Sequence, residues 1–222
     1  MEKSSSVSLK NTSKPVSIPG VILAGGQSTR MGGKDKGLIK LGEYTLLEYV
    51  ISRLKPQVST VVLNANGDTS RFSRFELPVL PDPIQGFLGP LAGVLAGLEW
   101  AETNGYDKIV TVAADTPFFP KTLVRRLNEE LTKKKAHVAL ACTTETSGSR
   151  LIRHPTFGLW SVFLKKNLEK AISAGTRKVV VWTEAQKTIE VVFEETNSET
   201  FFNINTHDDL LATEDKLSRI LV

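Results

Sequence analysis

From Pro19 onward, short runs rich in β-branched residues alternate with longer segments of helical period, and this alternation restricts the fold more than any other feature. Strands are expected at residues 21–23, 58–63, 108–112 and 138–142. Between them, Leu47, Val50, Ile51 and Leu54 share one helical face, as do Leu91, Val94, Leu95 and Leu98, and then Leu123, Leu127 and Leu131. Strand–helix–strand alternation of this kind implies right-handed crossovers and a largely parallel sheet. After residue 150 the pattern loosens, with strands expected at 156–161, 189–193 and 201–204 and a helix at 163–174. A last helix should start after Thr206, whose hydroxyl can cap it while Asp209 reaches back from the third helical position. The expectation is an α/β chain with one doubly wound, Rossmann-like domain over residues 18–222 and a mostly parallel central sheet. Residues 1–17 are rich in Ser, Lys and Asn and lack apolar period, so they read as a disordered leader.

Composition agrees with one domain and excludes several classes. The chain has 222 residues, 41% hydrophobic and 23% charged, enough to bury a sizeable core. A net charge of +4 suits an anionic ligand without naming one. There is no basic stripe interleaved with aromatics, so no nucleic-acid partner is expected. Cys142 is the sole cysteine and sits in an apolar run, which leaves neither a disulfide framework nor a thiolate zinc site. No apolar run approaches the ~20 residues of a membrane span, and the leader lacks the apolar core of a secretory signal. A cytoplasmic location follows by default.

The most informative stretch runs from Val21 to Gly37. An apolar strand leads straight into a loop carrying Gly25, Gly26, Gly32 and Gly33 with Arg30, Lys34 and Lys36. In a parallel sheet that loop emerges at the carboxyl ends of the strands, where ligands bind. Gly25 and Gly26 let the backbone approach an anion and aim amides at it, and Arg30, Lys34 and Lys36 can neutralise phosphate oxygens. Two commoner phosphate loops are excluded by spacing. A Walker A loop would need glycine where Ser28 stands and Ser or Thr where Asp35 stands, and no G-x-G-x-x-G occurs.

Other residues gather at strand ends. Asp115 closes the apolar run 109–114 and suits Mg²⁺ as a hard-oxygen ligand, although an acidic residue before a proline-led helix can also be a cap. Pro117, Phe118, Phe119 and Pro120 delay the next helix and make capping awkward. Asn64, after the second strand, offers a donor and an acceptor to a purine edge, or an Asx-turn. Asp82, between two prolines, is on its own a turn residue. Gly86, Gly89, Pro90 and Gly93 open a helix, which either favours an anion or permits close helix packing.

The run Leu23-Ala-Gly-Gly, followed by Arg30-Met-Gly and Lys36, resembles the signature loop of nucleotidyltransferases that act on sugar phosphates, polyols and cofactors. With Asp35-Lys-Gly37, Asn64-Ala-Asn66, Pro81-Asp82, Gly89-Pro-Leu-Ala-Gly93, Asp115-Thr-Pro117 and Asn203-Ile-Asn-Thr206 in order, the chain resembles the molybdenum cofactor guanylyltransferases over roughly residues 20–215. It departs at His207, where proline is usual, a change at a helix start. The resemblance implies GTP as donor, molybdopterin carrying molybdenum as acceptor, and Mg²⁺ as cofactor. It implies Arg30, Lys36 and Asp115 as catalytic residues and Asp115 as the metal ligand. Leu23, Ala24, Gly25, Gly26, Lys36, Asn64, Asp82 and Asp115 would bind the nucleotide. Arg153, His154, Asn203 and Asn205 would lie toward the acceptor, with His154 given no catalytic role. Proteins that deliver and collect the cofactor are further implied partners. A relative using CTP or a sugar-phosphate acceptor is the nearest alternative. A non-catalytic nucleotide-binding regulator on the same fold is another, and the intact cations with Asp115 argue against it.

Overall fold

A computed structural model describes residues 17–25, 35–84, 86, 89–145, 150–194 and 200–220, the last five of these by their backbone. Residues 1–16, nearly all of the expected leader, lie outside it.

A seven-stranded sheet runs in the order β5-β4-β1-β6-β8-β7-β9. Within it β1 (Gly20–Leu23) is flanked in parallel by β4 (Val61–Asn64) and β6 (Lys108–Ala113). Beyond β4 lies the parallel β5 (Val79–Leu80), and at the other edge β7 (Val138–Thr144) pairs in parallel with β9 (Thr188–Val192). The expected mostly parallel sheet is therefore present. The reversed strand is β8 (Leu151–Ser161), antiparallel to both β6 and β7. β7 reaches β8 through a connection far shorter than a crossover helix requires, so only a hairpin can join them. Pro155 sits where the β7–β8 register shifts between Leu140 and Ala141, a position that tolerates a residue without an amide proton. A two-stranded hairpin, β2 (Lys40–Leu41) with β3 (Tyr44–Thr45), stands apart from the sheet.

Alternation of side chains along the strands builds a core on each face. Ile22, Leu63, Val110 and Val112 pack against Leu47, Val50 and Leu54 of α1 (Leu46–Leu54) and Leu123, Leu127 and Leu131 of α3 (Leu123–Lys134). Val21, Val62, Ile109 and Trp160 face the other way, onto α2 (Pro90–Thr103), α4 (Lys165–Ser173) and α5 (Val179–Glu184). Helices on both faces make the domain doubly wound. Helix α1 starts on a capping box, with Thr45 Oγ1 accepting from Glu48 N–H and Glu48 Oε2 accepting from Thr45 N–H. The expected cap of α6 (His207–Ile220) is also present: Asp209 N–H donates to Thr206 Oγ1 at 3.1 Å, and Asp209 Oδ2 accepts from Thr206 N–H at 2.9 Å.

One local expectation fails. Residues 201–204 form no strand: Phe201 takes φ 59° in a turn, and Ile204 N–H makes a single hydrogen bond to the Asp115 carbonyl, 3.0 Å. The β-branched run beginning at Val179 forms helix α5, anchored by Trp182 stacking on Trp160 and donating Nε1–H to Asn167 Oδ1, 2.8 Å. Tertiary burial of one large ring outweighs weak strand propensity there.

His154 of β8 stacks on Phe201 at 4.3 Å between centroids and shares a 3.0 Å hydrogen bond with Thr143 Oγ1. Burial holds its imidazole neutral, with the pKa pushed down to about 4 from the usual 6.5. As pH falls, the unfolded chain takes up this proton first. The histidine's contribution to stability is therefore complete above pH 6.5 and is lost as pH falls toward about 4. We expect thermal unfolding of His154→Gln to show a flatter pH dependence than wild type across that window. An unchanged slope would contradict this account of the histidine.

Candidate functional site

The strand order reverses at β1: β4 and β5 lie on one side of it, β6 on the other. Connections leaving β1 and β6 diverge there, and a crevice opens at the carboxyl ends of the strands. Leu23 is level with Asn64 on one side and Ala113 on the other, so the three strand ends stand in one row. Ala24 N–H donates to Asn64 O at 2.9 Å and Ala114 N–H to Leu23 O at 3.1 Å, which continues the ladder one residue beyond the strands. Strand spacing near 4.8 Å sets the ends of β4 and β6 about 10 Å apart, a gap that a nucleoside triphosphate can bridge.

One side of the crevice is an amide–carboxylate cluster. Asn64, 2% exposed, donates from Nδ2 to Leu80 O (3.1 Å) and Asp82 Oδ1 (2.9 Å). Asn66 Nδ2 donates to Asp82 Oδ2 (2.7 Å), and Asp82 N–H returns a bond to Asn66 Oδ1 (2.8 Å). Both amide protons of Asn64 are thus directed within the protein, which narrows the expectation of a donor-and-acceptor side chain to an acceptor, Oδ1. That oxygen lies 3.4 Å from where a Cβ on Gly25 would stand and 2.3 Å from one on Gly93. No side chain fits at Gly93, so the close-packing reading of that glycine holds. Asn66 was quoted in the sequence without a role. Its spacing of two from Asn64, the period that returns a side chain to one face of a strand, is the local signal available for it.

The other side is built on Asp115 at the end of β6. Lys36, which opens the short 3₁₀ helix Lys36–Leu38, donates from Nζ to Asp115 Oδ2 at 3.3 Å and to Asn205 Oδ1 at 2.5 Å. Thr116 Oγ1 donates to Asp115 Oδ1 at a weaker 3.4 Å. Asn205 is held in turn by Asp209, whose Oδ2 accepts the Asn205 N–H at 2.9 Å. The Asn205 amide leads the causes that keep the Asp209 carboxyl below its usual range, with the Thr206 bonds and the Lys36 charge adding to it against burial. The structure therefore brings Lys36, Asp115 and Asn205 together, three residues far apart in sequence. Among the described residues no group of three or more His, Cys, Asp or Glu side chains is placed to hold a metal ion.

The remaining expected site residues are divided. Gly26 and Arg30, with Lys34, lie outside the described residues. Asn203 is exposed, and its carbonyl takes a long 3.5 Å contact from Asn205 Nδ2. Arg153 is bound to Glu190, and His154 is packed on Phe201. Burial pushes the Cys142 thiol up to about 12, an inert group. Sequence reasoning passed over the turn before α5: the Arg177 carbonyl lies 3.4 Å from a Cβ built at Gly89, so Arg177 and Lys178 border the start of α2.

The MobA-like NTP transferase domain matches residues 20–189. A molybdenum cofactor guanylyltransferase of Mesorhizobium japonicum is 46% identical over 198 residues, 87% of this chain and 92% of its own length. Another, from Nitrobacter hamburgensis, is 43% identical over 88% of this chain and 92% of its own length. Among solved structures, molybdopterin-guanine dinucleotide biosynthesis protein A of Archaeoglobus fulgidus aligns with a TM-score of 0.71 at 25% identity, over 91% of this chain and all of its own. A 4-diphosphocytidyl-2C-methyl-D-erythritol synthase of Anaerococcus prevotii reaches 0.72 at 14% identity over 91% of this chain and 96% of its own, a likeness of fold alone. With Leu23, Lys36, Asn64 and Asp115 gathered at the strand-order reversal and these matches along nearly the whole chain, the protein belongs to the MobA-like NTP transferase domain family.

Proposed function

We propose that this chain is a molybdenum cofactor guanylyltransferase that moves GMP from GTP to the phosphate of molybdopterin carrying molybdenum, in the presence of Mg²⁺. The products are molybdopterin guanine dinucleotide and pyrophosphate. The names of the relatives matched over nearly the whole chain support the reaction. The observation that carries its placement here is the junction of Lys36, Asp115 and Asn205, facing the Asn64–Asp82 cluster across the strand-order reversal.

In this reading an oxygen of the acceptor phosphate attacks the α-phosphorus in line, and the bond from that phosphorus to the bridging oxygen breaks. Pyrophosphate leaves with the electron pair. Such chemistry rests on positioning and electrostatics, so no covalent nucleophile is needed. The Lys36 ammonium and the amides of the loop from Leu23 and Ala24 through Gly25 and Gly26 stabilise charge on the triphosphate, together with Arg30. Guanine presents two donors, N1–H and its amino group, and Asn64 Oδ1 and the Asp82 carboxylate are the acceptors at hand. Asp115 fits a Mg²⁺ ion: its side chain is 19% exposed, and among the described residues Oδ1 accepts a long contact from Thr116. One carboxylate with phosphate oxygens and water is ordinary coordination for Mg²⁺. When bound there, the ion would neutralise charge across the phosphate oxygens. A cytoplasmic setting, and proteins that deliver molybdopterin and collect the product, go with the same reading. No helix among the described residues is long and apolar enough to cross a membrane.

The direct test is pyrophosphate release from GTP in the presence of molybdenum-bearing molybdopterin, set against CTP and against a sugar phosphate as acceptor. Release only with CTP or the sugar phosphate would overturn the assignment. Lys36→Ala should lower transfer by roughly 10²-fold or more, the scale for one oriented electrostatic group, with an unchanged circular dichroism spectrum. Near-normal turnover would remove Lys36 from the mechanism. Asp115→Asn keeps the size and loses the charge. It should still bind GTP, more weakly and with less dependence on Mg²⁺, while product formation falls by orders of magnitude. Normal turnover at low Mg²⁺ would put the metal elsewhere.

A further inference from the structure

Arg71 has no part in the roles above, yet it joins the two sides of the crevice. It lies in the 3₁₀ helix Thr69–Phe75, where Asp68 caps the start and Phe72 is buried. Its guanidinium donates Nε–H to Asp35 Oδ2 and a longer Nη2–H bond, 3.4 Å, to Asp35 Oδ1. Nη2 also donates to the Asn66 carbonyl at 2.7 Å, and the guanidinium carbon sits 4.5 Å from the centroid of the Phe72 ring.

Asp35 is the residue before Lys36, and Asn66 is the residue that grips Asp82. Asp35 stands at the cap position of the 3₁₀ helix Lys36–Leu38, but its side chain makes no cap hydrogen bond there. Its carboxylate is turned to Arg71 instead. The Cα atoms of Asp35 and Lys36 are about 3.8 Å apart, so holding Asp35 sets the origin from which the Lys36 side chain reaches Asp115. The pair is partly buried, its side chains 28% and 22% exposed, and its forked hydrogen bonds fix direction as well as charge. We infer that Arg71 is a positioning residue for nucleotidyl transfer: it fastens the base of Lys36 to the edge carrying Asn66 and Asp82, so that the phosphate side and the base side of the crevice keep one spacing. The inference rests on the reading above of Lys36 as a phosphate ligand and of GTP as the nucleotide. The planar fork of arginine meets the Asp35 carboxylate through Nε and Nη2 while Nη2 also reaches Asn66; a lysine ammonium lacks the paired contact that sets the carboxylate's orientation.

The experiment uses the full chain with Mg²⁺, GTP and molybdenum-bearing molybdopterin, and compares Arg71→Ala, Arg71→Lys, Asp35→Asn and the double variant Arg71→Ala/Lys36→Ala. A misplacement on the scale of an ångström should lower kcat of Arg71→Ala about tenfold or more, with guanosine affinity and melting temperature near wild type. Asp35→Asn should show a similar loss, and it carries the test if Arg71→Ala fails to fold. Arg71→Lys should recover only part of the activity. In the Lys36→Ala background, Arg71→Ala should cost little more, because the two act through one group. Turnover of Arg71→Ala within twofold of wild type overturns the inference. So does full recovery in Arg71→Lys, which would leave charge alone, or a loss undiminished by Lys36→Ala. Wild-type turnover of another nucleoside triphosphate in place of GTP overturns only the guanylyl reading; the ratio of Arg71→Ala to wild type with that nucleotide then decides on Arg71.

Discussion

The site depends on one residue's two attachments. Asp115 accepts the Ile204 N–H with its backbone oxygen and the Lys36 ammonium with its side chain, and Lys36 also reaches Asn205. A strand from the middle of the chain, a loop from its beginning and the segment before its last helix meet at that point. The arrangement persists because each contributor is anchored elsewhere. Asp209 caps α6 and holds Asn205, Leu41, Leu46, Ile204 and Leu210 form a separate apolar cluster beneath, and β6 lies in the middle of the sheet.

The base side is organised differently. Asn64 is buried and Asp82 partly so; the Asn64 amide nitrogen is held by Leu80 and Asp82, and the Asp82 carboxylate by Asn64 and Asn66. Preorganised acceptors of this kind cost little to bring to a ligand, whereas a wrong base would leave buried groups without partners at about 1–3 kcal/mol each. The fold itself does not select the base, since function lies in the site grafted onto it. In the proposed reading, selection falls to a few atoms: Asn64 Oδ1, the Asp82 carboxylate and the backbone after β1.

Much of this was legible in the sequence because the signals were local. Periodicity located β1, β6, β7 and three helices, and Thr206 with Asp209 announced the start of α6. Asp115 and Lys36 were legible as strand-end and loop residues. What was not legible depends on distance in the chain. Nothing local says that Asn205 accepts from Lys36, that Asn64 spends both amide protons on Leu80 and Asp82, or that Arg71 grips Asp35. Residues 201–204 read as strand, yet they form none, and the Ile204 N–H bonds to the Asp115 carbonyl instead. Reversal of β8 followed from a hairpin connection too short to carry a helix, which its apolar pattern does not record.

Calorimetric affinities of the wild-type chain for GTP, CTP, ATP and UTP with Mg²⁺ test the central claim most directly. Acceptors at Asn64 and Asp82 facing guanine's two donors predict GTP binding at least roughly tenfold tighter than the other three, the equivalent of 1.4 kcal/mol. Equal affinities, or a preference for CTP, would contradict it.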